Sequence, residues 1–441
     1  MSELRRAAER VLLGNWTGRS TVPSHSLYPH HWSWDSAFIA IGLRHLSPRR
    51  AQVELESLFG AQWQDGRIPH ISFSPSVPRD AYFPGPDFWQ ATTRGGVESS
   101  GIVQPPVHAL AVWLTHQADE AESIRRGFLA RMYPKLVAWH TYLRERRDLG
   151  GRGLVAVVHP WESGMDNSPA WDEALARVEP APLHSFTRRD TDHASDDDRP
   201  TDLDYGRYVQ LAATYRDHGY DDARTPFTFA LEDPCFNALL IASEHALASI
   251  AEALSLDPSR HVTAAAELTS ALTTLFHDGI FRPRDLRAGQ PRAEDEQTTA
   301  GEQAAGRLVE VDTVAGLVPL IVPELPQAKE LLATARGPKF RLGEVRMVPS
   351  YDLTGPAFEP GRYWRGPSWF NTAWLLHRGL VQRGEHQAEE LADALRADVL
   401  ELAGSTGFAE YVEPFTGEAR GARDFSWTAA LALDLLRPSR P

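Results

Sequence analysis

Cysteine is all but missing: Cys235 is the single one among 441 residues. A lone thiol excludes an internal disulfide and a structural thiolate metal site. Basic charge is short as well, with 45 Lys and Arg against 59 Asp and Glu and a formal net charge of −14. Nucleic-acid binding needs a cationic face for the phosphates, so no nucleic-acid partner is expected. An anionic ligand would have to be met by a local arginine. Long apolar runs are lacking too. The N-terminal "MSELRRAAERVLLGNW" holds only a brief apolar run, Val11 to Leu13, too short for a signal peptide. No stretch approaches the ~20 apolar residues of a membrane span, so a cytoplasmic protein without a membrane partner is expected. Strand-like alternation is scarce, with "GLVAVVH" at 153–159 its best instance. Composition leaves open whether identical chains associate.

Helical periodicity is what the chain does have. "VHALAVWL" sets Val107, Leu110, Ala111 and Leu114 at i, i+3, i+4 and i+7, with Pro105–Pro106 as a start signal just ahead. "FNALLIASEHALASI" repeats the pattern with Phe236, Leu239, Leu240, Leu247 and Ile250. Similar spacing recurs near 34–46, 48–63, 123–147, 260–276, 311–322, 367–380, 387–403 and 426–436. About a dozen helices without a strand ladder predict an all-α fold. No repeat of fixed period is present, which favours a closed ring of helical hairpins over an open solenoid. Residues 1–441 then read as one such domain.

In a ring of this kind, loops at one end of the inner helices collect the site. The segments 25–36, 65–104, 159–172, 349–369 and 405–427 are rich in Gly, Pro, aromatics and acids, as functional loops are. The charged, aromatic-poor stretch 183–204, within a wider 175–206, is expected to be a mobile, lid-like loop. Its "DTDHASDDD" lacks the glycine and spacing of a calcium loop. Several of the 13 tryptophans keep polar company: Trp32, Trp34, Trp161, Trp171, Trp364 and Trp369 sit close to charged or hydroxyl residues. Aromatic platforms mixed with carboxylates and amides suit sugars, which offer apolar C–H faces ringed by hydroxyls; the other reading is helix–helix packing.

Glycosidic hydrolysis needs one protonated carboxyl to assist departure and one ionised carboxyl to activate water or attack carbon. Two acids stand among aromatics: Asp166 in "WESGMDNSPAWD" and Glu410 in "GFAEYVEPFTGE". Burial beside aromatics raises a carboxyl pKa, as a general acid requires. On spacing alone Glu162, Asp166 and Asp172 remain alternatives, as do Glu410, Glu413 and Glu418, and any of them could instead cap a helix or a turn.

"ESGMDNSPAWD" resembles the "ESGxD" loop of the toroidal glycosidases, the group that holds trehalases and processing α-glucosidases. The resemblance is strongest to the bacterial mannosylglycerate and glucosylglycerate hydrolases. It extends from "LYPHHWSWDSAFIAIGL" through "AQWQDGRIPHI", "YFPGP", "SGIVQPPVHA" and "YWRGPSWFNTAW" to "FAEYVEPFTGEARG". It implies an (α/α)6 barrel that hydrolyses a small α-glycoside with inversion and acts on its end. By that resemblance Asp166 is the general acid and Glu410 the general base. The sugar cleft carries over by motif: Asp35 accepts from hydroxyls between Tyr28, Trp32 and Trp34, Gln104 donates and accepts, and Tyr363, Trp364 and Trp369 line the opposite wall. Glu162 is expected to hold the loop or a sugar hydroxyl, and Asp172 the following helix. Arg207 in "DLDYGRYVQL" is the expected partner of a glycerate carboxylate, with Tyr82 and Tyr205 or Tyr208 beside it; pairing with Asp202 or Asp204 is its alternative role.

One position departs from the pattern. Where the glucosylglycerate hydrolases resemble one another in carrying glutamine before "SW", this chain has Phe425, which cannot hydrogen-bond a sugar or glycerate. His30 and His31 are adjacent and lack the i, i+4 geometry of a helical zinc pair, so neither a metal nor a cofactor is expected; His30 is read as a buttress of the cleft. The competing readings are a trehalase-like or α-glucosidase enzyme with a neutral aglycone and a toroid that binds carbohydrate without turnover. A terpenoid-cyclase-like use of "SDDDRP" is disfavoured because the segment is too polar to wall a hydrocarbon cavity.

Overall fold

Six apolar segments pack side by side until the last meets the first. In chain order they are the helices Ser33–Leu43, His108–Ala118 and Pro234–Ala253, the 3-10 turn Val318–Ile321, and the helices Phe370–Arg383 and Ser426–Leu435. A second layer lies outside: Pro48–Leu58, Phe128–Arg146, Ser259–Leu272, Ala328–Arg336, His386–Ser405 and the N-terminal Ser2–Gly14. The protein is an (α/α)6 barrel: the helical periodicity led us to expect an all-α ring, and the motif resemblance implied this barrel. This computed structural model describes residues 2–190, 198–289 and 306–437.

The two layers differ in sequence for a physical reason. Ser33–Leu43 is buried at every position, which suits a helix covered on all sides. Pro48–Leu58 buries only Ala51, Gln52, Glu54, Leu55 and Leu58, the stripe of a helix with one face to water. Its start is set by Ser47, whose side chain accepts from the Arg50 N–H, and by Pro48 in the first turn. Ring closure depends on Gly42: a Cβ there would lie 2.2 Å from the Ala430 carbonyl oxygen of the last ring helix. Near the same end Asp434 accepts from Arg44 Nη2 and His45 Nε2, each at 2.7 Å, and from Trp374 Nε1 at 2.8 Å.

The segment 311–322 differs from the expected helix. It forms two 3-10 turns, Val314–Gly316 and Val318–Ile321, because Pro319 lacks an N–H and blocks a continuous α-helical ladder. Helices also form at Ser2–Gly14, Asp202–Asp217 and Ala328–Arg336, where no periodic pattern stood out. Strands are two residues long and sit in small antiparallel sheets. Ala156–Val157, inside "GLVAVVH", pairs with Leu231–Glu232. His31–Trp32 pairs with Ile71–Ser72 and Ser368–Trp369 with Tyr411–Val412. One strand of each pair, Leu231–Glu232, His31–Trp32 or Ser368–Trp369, leads directly into a ring helix, so short ladders fix the chain where it enters the barrel. Of the expected lid-like stretch 175–206, residues 191–197, and with them most of "DTDHASDDD", lie outside the described residues. No helix among the described residues is long and apolar enough to cross a membrane.

Candidate active site

Four ring helices bring their N-terminal ends to one pocket. Trp34 and Asp35 lie in the first turn of Ser33–Leu43, Gln104 precedes His108–Ala118, Trp369 caps Phe370–Arg383, and Trp427 opens Ser426–Leu435. The space between the lining side chains is about 510 Å³, part of it open to solvent. Tyr28, Trp32, Trp34, Asp35, Tyr82, Gln104, Asp166, Tyr363, Trp364, Trp369 and Glu410 all line it, joined by Pro23, His70, Trp161, Gly164, Phe425 and Trp427. Apart from Pro23, every one comes from the five loop segments singled out by composition. A larger hollow lies on the flank between Phe128–Arg146 and Ser259–Leu272. There Glu244 lies between His140 and His261 at 3.0 and 2.6 Å.

Asp166 sits on a loop held from several sides. Trp171 Nε1 donates to the Met165 carbonyl at 2.8 Å and Tyr208 Oη to the Asp166 carbonyl at 2.9 Å. The Trp364 N–H donates to Asn167 Oδ1 at 2.8 Å, and Arg365 grips both oxygens of Asp172 at 2.9 and 2.8 Å. Gly164 turns the loop at φ +72°, and a Cβ there would meet the Trp34 ring at 2.5 Å. The side chain of Asp166 itself stays partly open to the pocket. Desolvation raises its pKa to about 7; Arg199 opposes the rise, and Glu410 and Asp190 add to it. Asp35, 5 % exposed, is likewise pushed well above the usual carboxyl range, chiefly by desolvation.

Glu410 is 2 % exposed and acts only as an acceptor. Tyr28 Oη donates to its Oε1 at 2.9 Å, the Ala422 N–H to its Oε2 at 3.0 Å, and Arg199 Nη2 lies 3.5 Å from Oε2. Arg199 Nη1 also donates to Tyr28 Oη at 3.0 Å, and its guanidinium lies 4.6 Å over the Tyr363 ring. Trp364 stacks on Trp369 at 3.9 Å and Trp369 on Tyr411 at 4.4 Å, a wall of flat faces. Trp32 meets Tyr28 and Tyr82 edge-on at 5.4 and 5.1 Å, with His30 packed against it. The backbone N–H of Trp34 donates to Gln104 Oε1 at 3.2 Å. The arrangement is a pocket with flat apolar walls, one carboxyl that keeps its proton to near neutrality, and one carboxylate fed by donors.

The mannosylglycerate hydrolase MGH1-like glycoside hydrolase domain matches residues 28–428. The chain belongs to that family of glycoside hydrolases. It is 40% identical to the mannosylglycerate hydrolase of Rubrobacter radiotolerans over 450 residues, covering 99% of this chain and 97% of that one. It is 39% identical to the glucosylglycerate hydrolase of Mycolicibacterium hassiacum over 454 residues, covering 99% and 98%. Among solved structures, the GH63 mannosylglycerate hydrolase of Thermus thermophilus in complex with Tris and D-glycerate superposes with a TM-score of 0.86. Identity there is 39%, over 98% of this chain and all of that one.

Glu162 and Arg207, each expected either at the substrate or in a structural pairing, do not line this pocket. Glu162 is fully enclosed: Arg147 Nη1 and Nη2 bind its two oxygens at 2.7 and 2.8 Å, and the Val103 and Val158 N–H groups donate to it. It therefore ties the Asp166 loop to the segment carrying Gln104 and does not line the pocket. Arg207 points to Asp204 at 3.5 Å, the intrahelical i, i+3 pairing left open above, and is also absent from the lining. Tyr205 donates to the Phe83 carbonyl at 2.8 Å.

Sequence reasoning missed Arg199, the buried arginine that touches Tyr28 and Glu410. Its context, "DDDRPTD", reads as solvated loop, and nothing local signals burial. His70 was also missed, although "RIPHI" lay within a quoted motif. It stacks on Trp161 at 6.1 Å, bonds Ser100 at 2.9 Å, and is kept neutral by burial. Phe425 lines the pocket edge-on to Tyr28 at 5.8 Å, an apolar surface where the resemblance led to glutamine.

Proposed function

We propose that the enzyme cleaves glucosylglycerate or mannosylglycerate to free hexose and glycerate, with inversion at the anomeric carbon. Asp166 donates its proton to the departing glycosidic oxygen, and Glu410 takes a proton from the water that attacks from the other face. The hexose lies between the Trp364–Trp369 wall and Trp32–Trp34, with Asp35 and Gln104 on its hydroxyls. In an inverting pair the carboxyls stand ~6.5–9.5 Å apart, leaving room for that water. The single observation behind the reading is one pocket that holds a carboxyl titrating near 7 and a carboxylate surrounded by donors. Residues 1–441 work as one catalytic unit, a reading supported by the N-terminal helix Ser2–Gly14 packing on the last ring helix.

The aglycone carboxylate needs a cation inside an acidic chain; neither Arg199 nor Arg207 lines the pocket itself, but Arg199 touches the lining residues Tyr28 and Glu410 and takes the role expected of Arg207. It is buried against the same pocket residues that flank the base. The D-glycerate complex of the Thermus relative and the names of the two curated relatives support glycerate over a neutral aglycone. Released sugar should be assayed on glucosyl- and mannosylglycerate, glucosylglycerol and trehalose, with proton NMR of the first-formed anomer. We expect a β-hexose from a glycerate glycoside and loss of turnover in both Asp166→Ala and Glu410→Ala. A first-formed α-anomer would overturn inversion, and either variant keeping wild-type rates would overturn the residue assignment.

A further inference from the structure

Arg199 is placed to serve two carboxylates but is committed to neither. Its contact with Glu410 is 3.5 Å, well beyond the ~2.7–2.9 Å of a strong charge-assisted bond. Its Nε is buried without a hydrogen-bond partner among the described residues, and both side chains of the pair are only 2 % exposed. Nε and Nη2 form the side-on fork of a guanidinium, the edge that takes a carboxylate with two parallel bonds. Nη1 is the nitrogen fixed elsewhere, on Tyr28. The backbone around it is held: Arg362 Nε donates to the Arg199 carbonyl at 3.3 Å and Tyr411 Oη to the Asp198 carbonyl at 3.5 Å. Movement is thus left to the guanidinium alone.

From this geometry we infer that Arg199 is a specificity switch on the base: a substrate carboxylate seated on its Nε–Nη2 edge draws Nη2 off Glu410. The inference rests on the glycerate reading above. A cation resting on Glu410 weakens it as a proton acceptor, and a carboxylate that reaches the buried, unpartnered Nε neutralises that cation at the moment the glycoside is in place. A neutral glycoside leaves the contact intact and is turned over on a restrained base. The substrate carboxylate then acts on kcat, whereas a mere anchor would act on KM.

The test compares the glycerate glycoside the enzyme cleaves with the corresponding glycerol glycoside, in the wild type and in Arg199→Met. For the wild type we expect kcat on the glycerate glycoside to exceed that on the glycerol glycoside by about tenfold or more. Arg199→Met should raise KM for the glycerate glycoside and raise kcat on the glycerol glycoside severalfold, so that the kcat ratio collapses. Without any variant, D-glycerate added to wild-type enzyme hydrolysing the glycosyl fluoride should raise its kcat, and glycerol should not. Equal wild-type kcat values with all discrimination in KM would overturn the switch and leave the glycerate reading standing. If neither constant separates the two glycosides, that reading fails, and the switch with it. Failure of D-glycerate to activate, or a parallel fall in both kcat values in Arg199→Met, also overturns the switch.

Discussion

Two carboxyls in one pocket behave differently because their neighbours differ. At Asp166 desolvation outweighs the opposing charge of Arg199, whereas Glu410 accepts from a phenol and a backbone N–H and has that guanidinium at 3.5 Å. The Asp166 proton stays on up to about pH 7 in the folded chain but leaves near pH 4 in the unfolded one. Between those values the unfolded state binds fewer protons, so this residue lowers stability as pH rises and its penalty is complete above 7. Asp166→Asn should therefore cut kcat by about 10²–10⁴-fold. Thermal melts should show it more stable than wild type at pH 8, with no difference at pH 4. The wild-type kcat/KM profile should fall as pH rises through about 7.

At the scale of elements, the loop 161–172 works because it is clamped against two others. Glu162 joins it to the Gln104 segment through the Val103 N–H and to Arg147 at the end of Phe128–Arg146, and Asn167 and Asp172 join it to Trp364 and Arg365. The exposed Arg365–Asp172 fork adds little energy, while the fully buried Arg147–Glu162 pair cannot lose one member cheaply. Gly164 lets this loop lie flat on Trp34. Gly164→Ala puts a side chain at φ +72° and 2.5 Å from the indole, so we expect a loss of about 1–3 kcal/mol in denaturant unfolding. Kinetics should show kcat reduced as well, because the Trp34 face and the Asp166 loop are forced apart.

The whole molecule is a ring, and its closure can be tested away from the pocket. Asp434 lies eight residues beyond the start of the last ring helix, roughly 12 Å down its axis from the pocket end. Burial would raise its pKa, but the His45 hydrogen bond and the Arg44 charge hold it well below the ordinary carboxyl range. A depressed carboxyl contributes stability above its unfolded pKa of about 4 and loses it as pH falls. Asp434→Asn should lower Tm at pH 7, narrow the gap to wild type as pH drops below 4, and leave KM unchanged.

Much of this was legible in the chain before any coordinates. The 3.6-residue periodicity marked five of the six ring segments as helices, because apolar residues recur at helical spacing where a helix is packed; the sixth, Val318–Ile321, is the 3-10 turn that Pro319 imposes. Loops dense in aromatics and acids marked the pocket, since polar groups among tryptophans have few other reasons to be there. What the sequence could not decide was direction. Glu162 and Asp166 are four residues apart in one motif, yet one faces Arg147 and the other the pocket. Arg199 and Arg207 carry the same charge in one acidic stretch, but only Arg199 folds inward onto Tyr28 and Glu410. Local pattern fixes which residues are helical or buried; which way a loop side chain points depends on partners far along the chain, and those meet only when the ring closes.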